Sequence, residues 1–237
     1  ILNVYDELTP LESKKNKLFG GKKLLKQIEQ ESNEKLTQVF HKIVLDTDNP
    51  NHEYHTFSRK GALSKVVAKI VKENVVDIVV MGNKGKTGAK EIFMGSNTFQ
   101  VANEISLCPL LAVPKQLDYK VPNDIAFITD YKKGCAKETL EPLLHIAALH
   151  NSTISVMHIN EEETLDAEQE LKRKLLENCL KDFKYSFHNT QNSANKTLVI
   201  DSFLARKNID MFSMVQQKHS FLSYLKSNSS FIFIEIK

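Results

Sequence analysis

Apolar positions along this chain change period repeatedly. Short continuous runs of valine, isoleucine, leucine and phenylalanine alternate with longer stretches in which apolar residues recur at helical spacing. Val75, Val76, Ile78, Val79, Val80 and Met81 form one such run, ending in glycine, and predict a buried strand of a parallel sheet. Ile125–Thr129, Leu110–Val113 and residues 231–236 predict further strands. Between the runs, Leu63, Val66, Val67, Ile70 and Val71 fall on one helical face. Leu140, Leu143, Leu144, Ala147 and Ala148 do the same, with Pro142 expected in the first turn, where its missing N–H does no harm. Strand and helix in this alternation predict right-handed βαβ units and an α/β fold with parallel sheets.

The pattern occurs twice. Tyr54-His-Thr-Phe, a helical stretch and Val76-Asp-Ile-Val-Val-Met are matched by Tyr185-Ser-Phe-His, a helical stretch and Ile209-Asp-Met-Phe-Ser-Met. Ile1-Leu-Asn-Val-Tyr likewise matches Ile154-Ser-Val-Met-His, and each is followed by an acidic turn and a long Lys/Glu-rich helix. Two tandem Rossmann-like units are therefore expected over 1–114 and 123–237, joined by the polar link between Pro114 and Pro122. Ile1–Tyr5 corresponds to the second strand of the second unit, not to its first. Taking it as a first strand would put a strand near Lys42–Leu45, too close to Tyr54 for a crossover helix. The first unit is thus expected to lack its first strand and helix.

Composition narrows the classes without choosing among them. The chain has 237 residues, 26% of them charged and 41% apolar, ordinary for a globular protein. A net charge of +3 is too mild to argue for nucleic acid or an anionic membrane. Cys108, Cys135 and Cys179 are scattered and read as small core hydrophobes in a reducing compartment, so a cytoplasmic location is expected. The eight histidines show no metal-ligand spacing, and no nucleophile elbow occurs. No catalytic residue is assigned, and no specific protein partner can be named.

The candidate chemistry lies after the Val75–Met81 run. Gly82 and Gly85 have no side chains, so their backbone N–H groups can approach phosphate oxygens closely. Gly95 and Ser96 then open a helix. Its N-terminus offers free amides and a partial positive charge, with Ser96 expected as the N-cap. Lys84, Lys86 and Lys90 add positive charge nearby. The Gly-Lys-Thr string at 85–87 is not a Walker loop, since Val80 stands where that motif needs glycine. The dinucleotide fingerprint fails as well, because Asn83 occupies its first glycine position.

What remains is G-x2-G-x9-G-S, framed by Asp77-Ile-Val-Val-Met-Gly82 and Cys108-Pro-Leu-Leu-Ala-Val-Pro114. This text resembles the nucleotide-binding signature of the universal stress protein family, with its fourth and fifth strands. The resemblance implies a bacterial stress-response regulator that binds ATP or another adenine nucleotide, with at most slow hydrolysis. Met81, Gly82, Gly85, Gly95, Ser96 and Asn97 would be its nucleotide-binding residues, and Mg²⁺ would enter with the phosphates. The alternative is a ligand-free interaction module of the same family.

The resemblance also exposes two inequalities. Asp130, ending the strand Ile125–Thr129, matches an aspartate that in the family contacts the adenine and ribose region. Yet the second unit has no glycine after Gly134 and has lost the loop, while the first keeps the loop without an acid. In the family the last strands of two units pair antiparallel about a two-fold axis. That implies pairing of Leu110–Val113 with Phe231–Ile234, an intramolecular pseudo-dimer, and room for a homodimer.

Overall fold

The computed structural model describes residues 1–5, 21–47, 49–83, 95–114, 120–132, 135–159, 164–190, 196–215 and 232–236. It divides into two compact units, Ile1–Glu73 and Asn74–Lys237.

In the first unit, β1 (Leu2–Tyr5) runs parallel to β2 (Phe57–Lys60) in a sheet of two strands. Helix α1 (Gly21–Asp46) turns Ser32 and Leu36 inward, and its length carries it through Lys42–Leu45. Asn3 Nδ2 donates to Ser32 Oγ at 2.8 Å, and Ser32 Oγ shares a hydrogen bond with Ser58 Oγ at 2.6 Å. This polar trio ties the helix to both strands and satisfies a buried hydroxyl. Helix α2 (Leu63–Glu73) buries Val67 and Val71, one turn apart on the expected face. The strand expected from Tyr54 begins instead at Phe57. The Tyr54 hydroxyl bonds Thr47 Oγ1 and His52 Nδ1, each at 3.1 Å, which holds it in the preceding loop.

The second unit holds one sheet of seven strands. In chain order its elements are β3 (Val79–Asn83), α3 (Ser96–Glu104), β4 (Leu110–Pro114), β5 (Asp124–Thr129), α4 (Lys137–His150), β6 (Thr153–Ile159), α5 (Ala167–Leu180), β7 (Lys184–Thr190), α6 (Lys196–Arg206), β8 (Met211–Val215) and β9 (Ile232–Ile236). Across the sheet the order is β3-β4-β9-β8-β5-β6-β7, and every neighbouring pair is parallel except β4 with β9. That one antiparallel seam joins Leu110 to Glu235, Leu111 to Ile234 and Ala112 to Phe233, the pairing expected of the two last strands. It draws the end of the first repeat into the sheet of the second. Division by contact therefore falls after Glu73, whereas the repeat divides at the link after Pro114.

Packing follows the apolar pattern. Leu140, Leu143, Leu144 and Ala147 of α4 and Leu176 and Leu180 of α5 bury against Ile125, Phe127, Ile154, Val156 and Met211. Pro142 is not in the first turn as expected. The helix starts at Lys137, so the proline lies one turn further in, where its ring removes the bond to the Glu138 carbonyl. The helix nevertheless continues to His150. Strand β3 also starts later than its apolar run, because Val75 is 97% exposed and the ladder opens where Val79 N–H donates to Pro109 O at 3.0 Å. Among the described residues, no helix is long and apolar enough to cross a membrane.

Candidate functional site

Met81 and Gly82 are the third and fourth residues of β3, so Gly82 belongs to the strand's last turn of ladder, paired with Val113, and does not lie beyond it. Its φ is not in the left-handed region, and a Cβ built on it would meet no atom of the described residues within 4 Å. Neither backbone conformation nor packing against the described residues thus requires glycine here. A requirement for close approach from outside is what a missing Cβ can serve.

Helix α3 begins beside it. Thr98, buried in the first turn, donates its Oγ1 to the Gly82 carbonyl at 3.3 Å. This bond fastens the helix N-terminus to the carboxyl end of β3. The N-cap is Gly95, with φ −55° and ψ 146° and no side-chain cap bond. The expectation of Ser96 as N-cap is therefore corrected by one residue: Ser96 is the first helical residue and is exposed, as is Asn97. Phe99 N–H makes the first intrahelical bond, to Gly95 O at 2.9 Å, so the amides of Ser96, Asn97 and Thr98 have no helical carbonyl to bond. Gly82, Gly95, Ser96 and Asn97 are thus gathered at one strand end. Gly85 and the lysines at 84, 86 and 90 lie outside the described residues.

Asp130 is not part of this constellation. It directly follows β5, where its Oδ1 accepts the Lys132 N–H at 2.8 Å and its carbonyl accepts from Gln169 Nε2 at 3.0 Å. Four strand steps separate β3 from β5, or roughly 19 Å of sheet. Because β4 and β9 are antiparallel, β3 and β5 also point their carboxyl ends to opposite edges of the sheet. The acid and the glycine strand cannot meet in one site within this chain.

The carboxyl end of β5 carries a feature that the sequence pattern did not signal. Tyr131 adopts φ 58°, unusual for an aromatic residue, and its ring stacks on His158 at 4.4 Å between centroids with 25° between planes. Both are buried. Thr129 arranges the pair: its Oγ1 accepts the Tyr131 N–H at 2.9 Å, and its carbonyl accepts His158 Nδ1–H at 3.0 Å. Burial pushes the Tyr131 phenol up to about 12, and the nearby Cys135 thiol, also by burial, to about 11. Neither group is ionised near neutrality. The switch point beside β5, where the strand order reverses and α/β sheets place ligands, is in this repeat closed by aromatic packing on its β6 side.

Residues 1–114 match the universal stress protein family. The fold is similar to that of a universal stress protein from Archaeoglobus fulgidus, with 13% identity, 89% of this chain and 79% of the other covered, and a TM-score of 0.63. It is also similar to that of a functionally unknown protein from Pseudomonas aeruginosa PAO1, with 13% identity, 99% and 92% covered, and a TM-score of 0.54. No curated protein matches the chain.

Proposed function

The chain belongs to the universal stress protein family through residues 1–114, and from that premise we propose that it is a stress-response regulator whose first repeat holds an adenine nucleotide by its phosphates. The observation that carries this reading is Gly82, a strand glycine with no described atom where a Cβ would stand, set beside the first-turn amides of α3, which have no helical carbonyl to bond. Phosphate oxygens would take the N–H groups of the 96–98 turn and the Ser96 hydroxyl, with Gly85 and Gly95 keeping the approach clear. Bound nucleotide would bring Mg²⁺ on its own phosphates, and no protein carboxylate is needed to hold it. ATP is the expected ligand, with the cytoplasm as the compartment.

A second reading rests on Asp130. Since that acid faces the opposite edge of the sheet, the first repeat offers the adenine no carboxylate from this residue. This favours weak binding, of order 10 µM or poorer and about −7 kcal/mol, or a ligand-free module that docks partners. Calorimetric titration of Mg-ATP into the wild type, Gly82→Val and Gly85→Val decides between them. Binding in the wild type that both valines remove supports the phosphate site. Equal affinity in all three overturns it, and no heat in any of them favours the docking module.

A further inference from the structure

Strand β7 brings together a serine and a histidine that play no part at the end of β3. Its residues Tyr185 and Phe187 pack against the core shared with α4 and α5, so strand alternation puts Ser186 and His188 on the opposite face, toward α6. There Ser186 Oγ and His188 Nε2 share a hydrogen bond at 2.8 Å. The His188 ring rests against Phe203 of α6, with 5.3 Å between centroids and 56° between planes. Ser186 and His188 are both half-buried, so each keeps part of its surface exposed. Directly across the ladder from Ser186 stands Ser155 of β6, which adds a second hydroxyl to the same face.

The charges around this pair have one sign. Burial first, then Lys207 and Arg206, hold the His188 imidazole below its ordinary value, so the ring is neutral at pH 7 and can take a proton. A serine hydroxyl within hydrogen-bond reach of a neutral imidazole is the geometry of an activated nucleophile. Lys207 and Arg206 are exposed, and together they draw an anionic reagent toward the pair.

We propose that Ser186 is a site of covalent acylation, with His188 as its base and an acyl phosphate, the mixed anhydride of a carboxylic and a phosphoric acid, as the acyl donor. Ser186 Oγ attacks the acyl carbon, and its proton passes to His188 Nε2. The new Oγ–C bond forms as the bond from that carbon to the bridging oxygen breaks. Phosphate leaves with the electron pair, and Lys207 and Arg206 favour its negative charge. Water then removes the proton from His188, which leaves an ester on Ser186. No oxidation state changes in this transfer.

The test treats the full chain with acetyl phosphate and follows acetylation by mass spectrometry, with fragmentation to locate it. Neutral hydroxylamine strips an ester from serine and spares an amide on lysine, so it separates the proposed product from lysine acetylation by the same reagent. Hydroxylamine-sensitive acetyl is expected on Ser186, absent in Ser186→Ala and formed about a hundredfold more slowly in His188→Gln. Replacing Arg206 and Lys207 together by glutamine is expected to slow the reaction with acetyl phosphate severalfold, while the uncharged ester p-nitrophenyl acetate reacts as before. Acetylation confined to lysines overturns the proposal, as does equal labelling of Ser186 in His188→Gln. Equal rates with acetyl phosphate in the double glutamine variant overturn the choice of donor. Nitrogen NMR of the unmodified protein gives a check that needs no variant: His188 Nε2 is expected without a proton, and a proton there overturns the assignment of His188 as base.

Discussion

The carboxylate of Asp210 holds the start of β5 against the start of β8: its Oδ2 accepts the Asp124 N–H at 3.1 Å, while the Asp210 N–H donates to Asp124 O at 2.9 Å. The same oxygen takes the Asn123 N–H at 3.0 Å. One side chain thus satisfies two amides at the point where the central strand of the second repeat enters the sheet. Removing it in Asp210→Ala leaves both without their acceptor, at an expected cost of about 1–2 kcal/mol. Asp210→Asn keeps an oxygen in place and is expected to lose less. Urea unfolding of the three proteins checks the order, and equal midpoints for wild type and Asp210→Ala would remove the clamp from the account.

The clamp has an electrostatic cost on its neighbour. Burial first, and the Asp210 charge second, raise the Asp124 carboxyl above its ordinary value, with Lys207 opposing. A raised folded pKa means the native state holds this proton more tightly than the unfolded chain does. Ionisation of Asp124 therefore removes stability as pH rises through its folded value, and below about 3.8 the penalty is absent. Asp124→Asn is expected to raise the urea midpoint at pH 7, with the gain closing as pH falls toward 3.8. A difference independent of pH would assign the gain to packing.

Both observations bear on what the sequence could tell. Continuous apolar runs located β3, β4, β5 and β9, because a run that must be buried on both faces leaves little freedom of composition, whereas β1, β2, β6, β7 and β8 were located by matching the two repeats. Their ends were less legible: Val75 belongs to the run and lies outside β3, and Tyr54 lies outside β2, since hydrogen bonding, not hydrophobicity, starts a ladder. Pro142 looked like a first-turn residue because its helix begins in the polar stretch at Lys137, where no apolar period marks the start. That Gly82 and the start of α3 come together was legible, since a strand that runs into glycine and a helix that opens after Gly95 are consecutive elements. The stacking of Tyr131 on His158 was not, since a left-handed tyrosine has no compositional signal. Nor did the separation of Asp130 from Gly82 follow from the repeat; it depends on the sign of the β4–β9 pairing.

Placement of Ser96 after the cap changes what its mutation should do. As an exposed first helical residue without a side-chain cap bond, Ser96→Ala is expected to change stability by less than about 0.5 kcal/mol. Ser96 stands at the start of α3, so the same variant is expected to weaken Mg-ATP binding severalfold if the phosphate site is as proposed. Thermal unfolding and calorimetry on one preparation separate the two effects. A loss near 1 kcal/mol would restore Ser96 as a true cap.

The antiparallel seam makes the sharpest demand on the fold. Strand β9 is interior, paired to β4 on one side and to β8 on the other, so its backbone groups are committed in both directions. Proline at Ile234 would remove an N–H from one ladder and set its ring against a neighbouring strand. The expected loss is about 3 kcal/mol or more, read from urea unfolding of Ile234→Pro. Because β4 joins the ladder of the second repeat through β9, the first effect should appear as faster amide exchange at Leu110–Ala112, ahead of β5–β7. A variant that loses less than about 1 kcal/mol, with exchange at Leu110–Ala112 unchanged, would remove β9 from the middle of the sheet and with it the opposed orientation of Gly82 and Asp130.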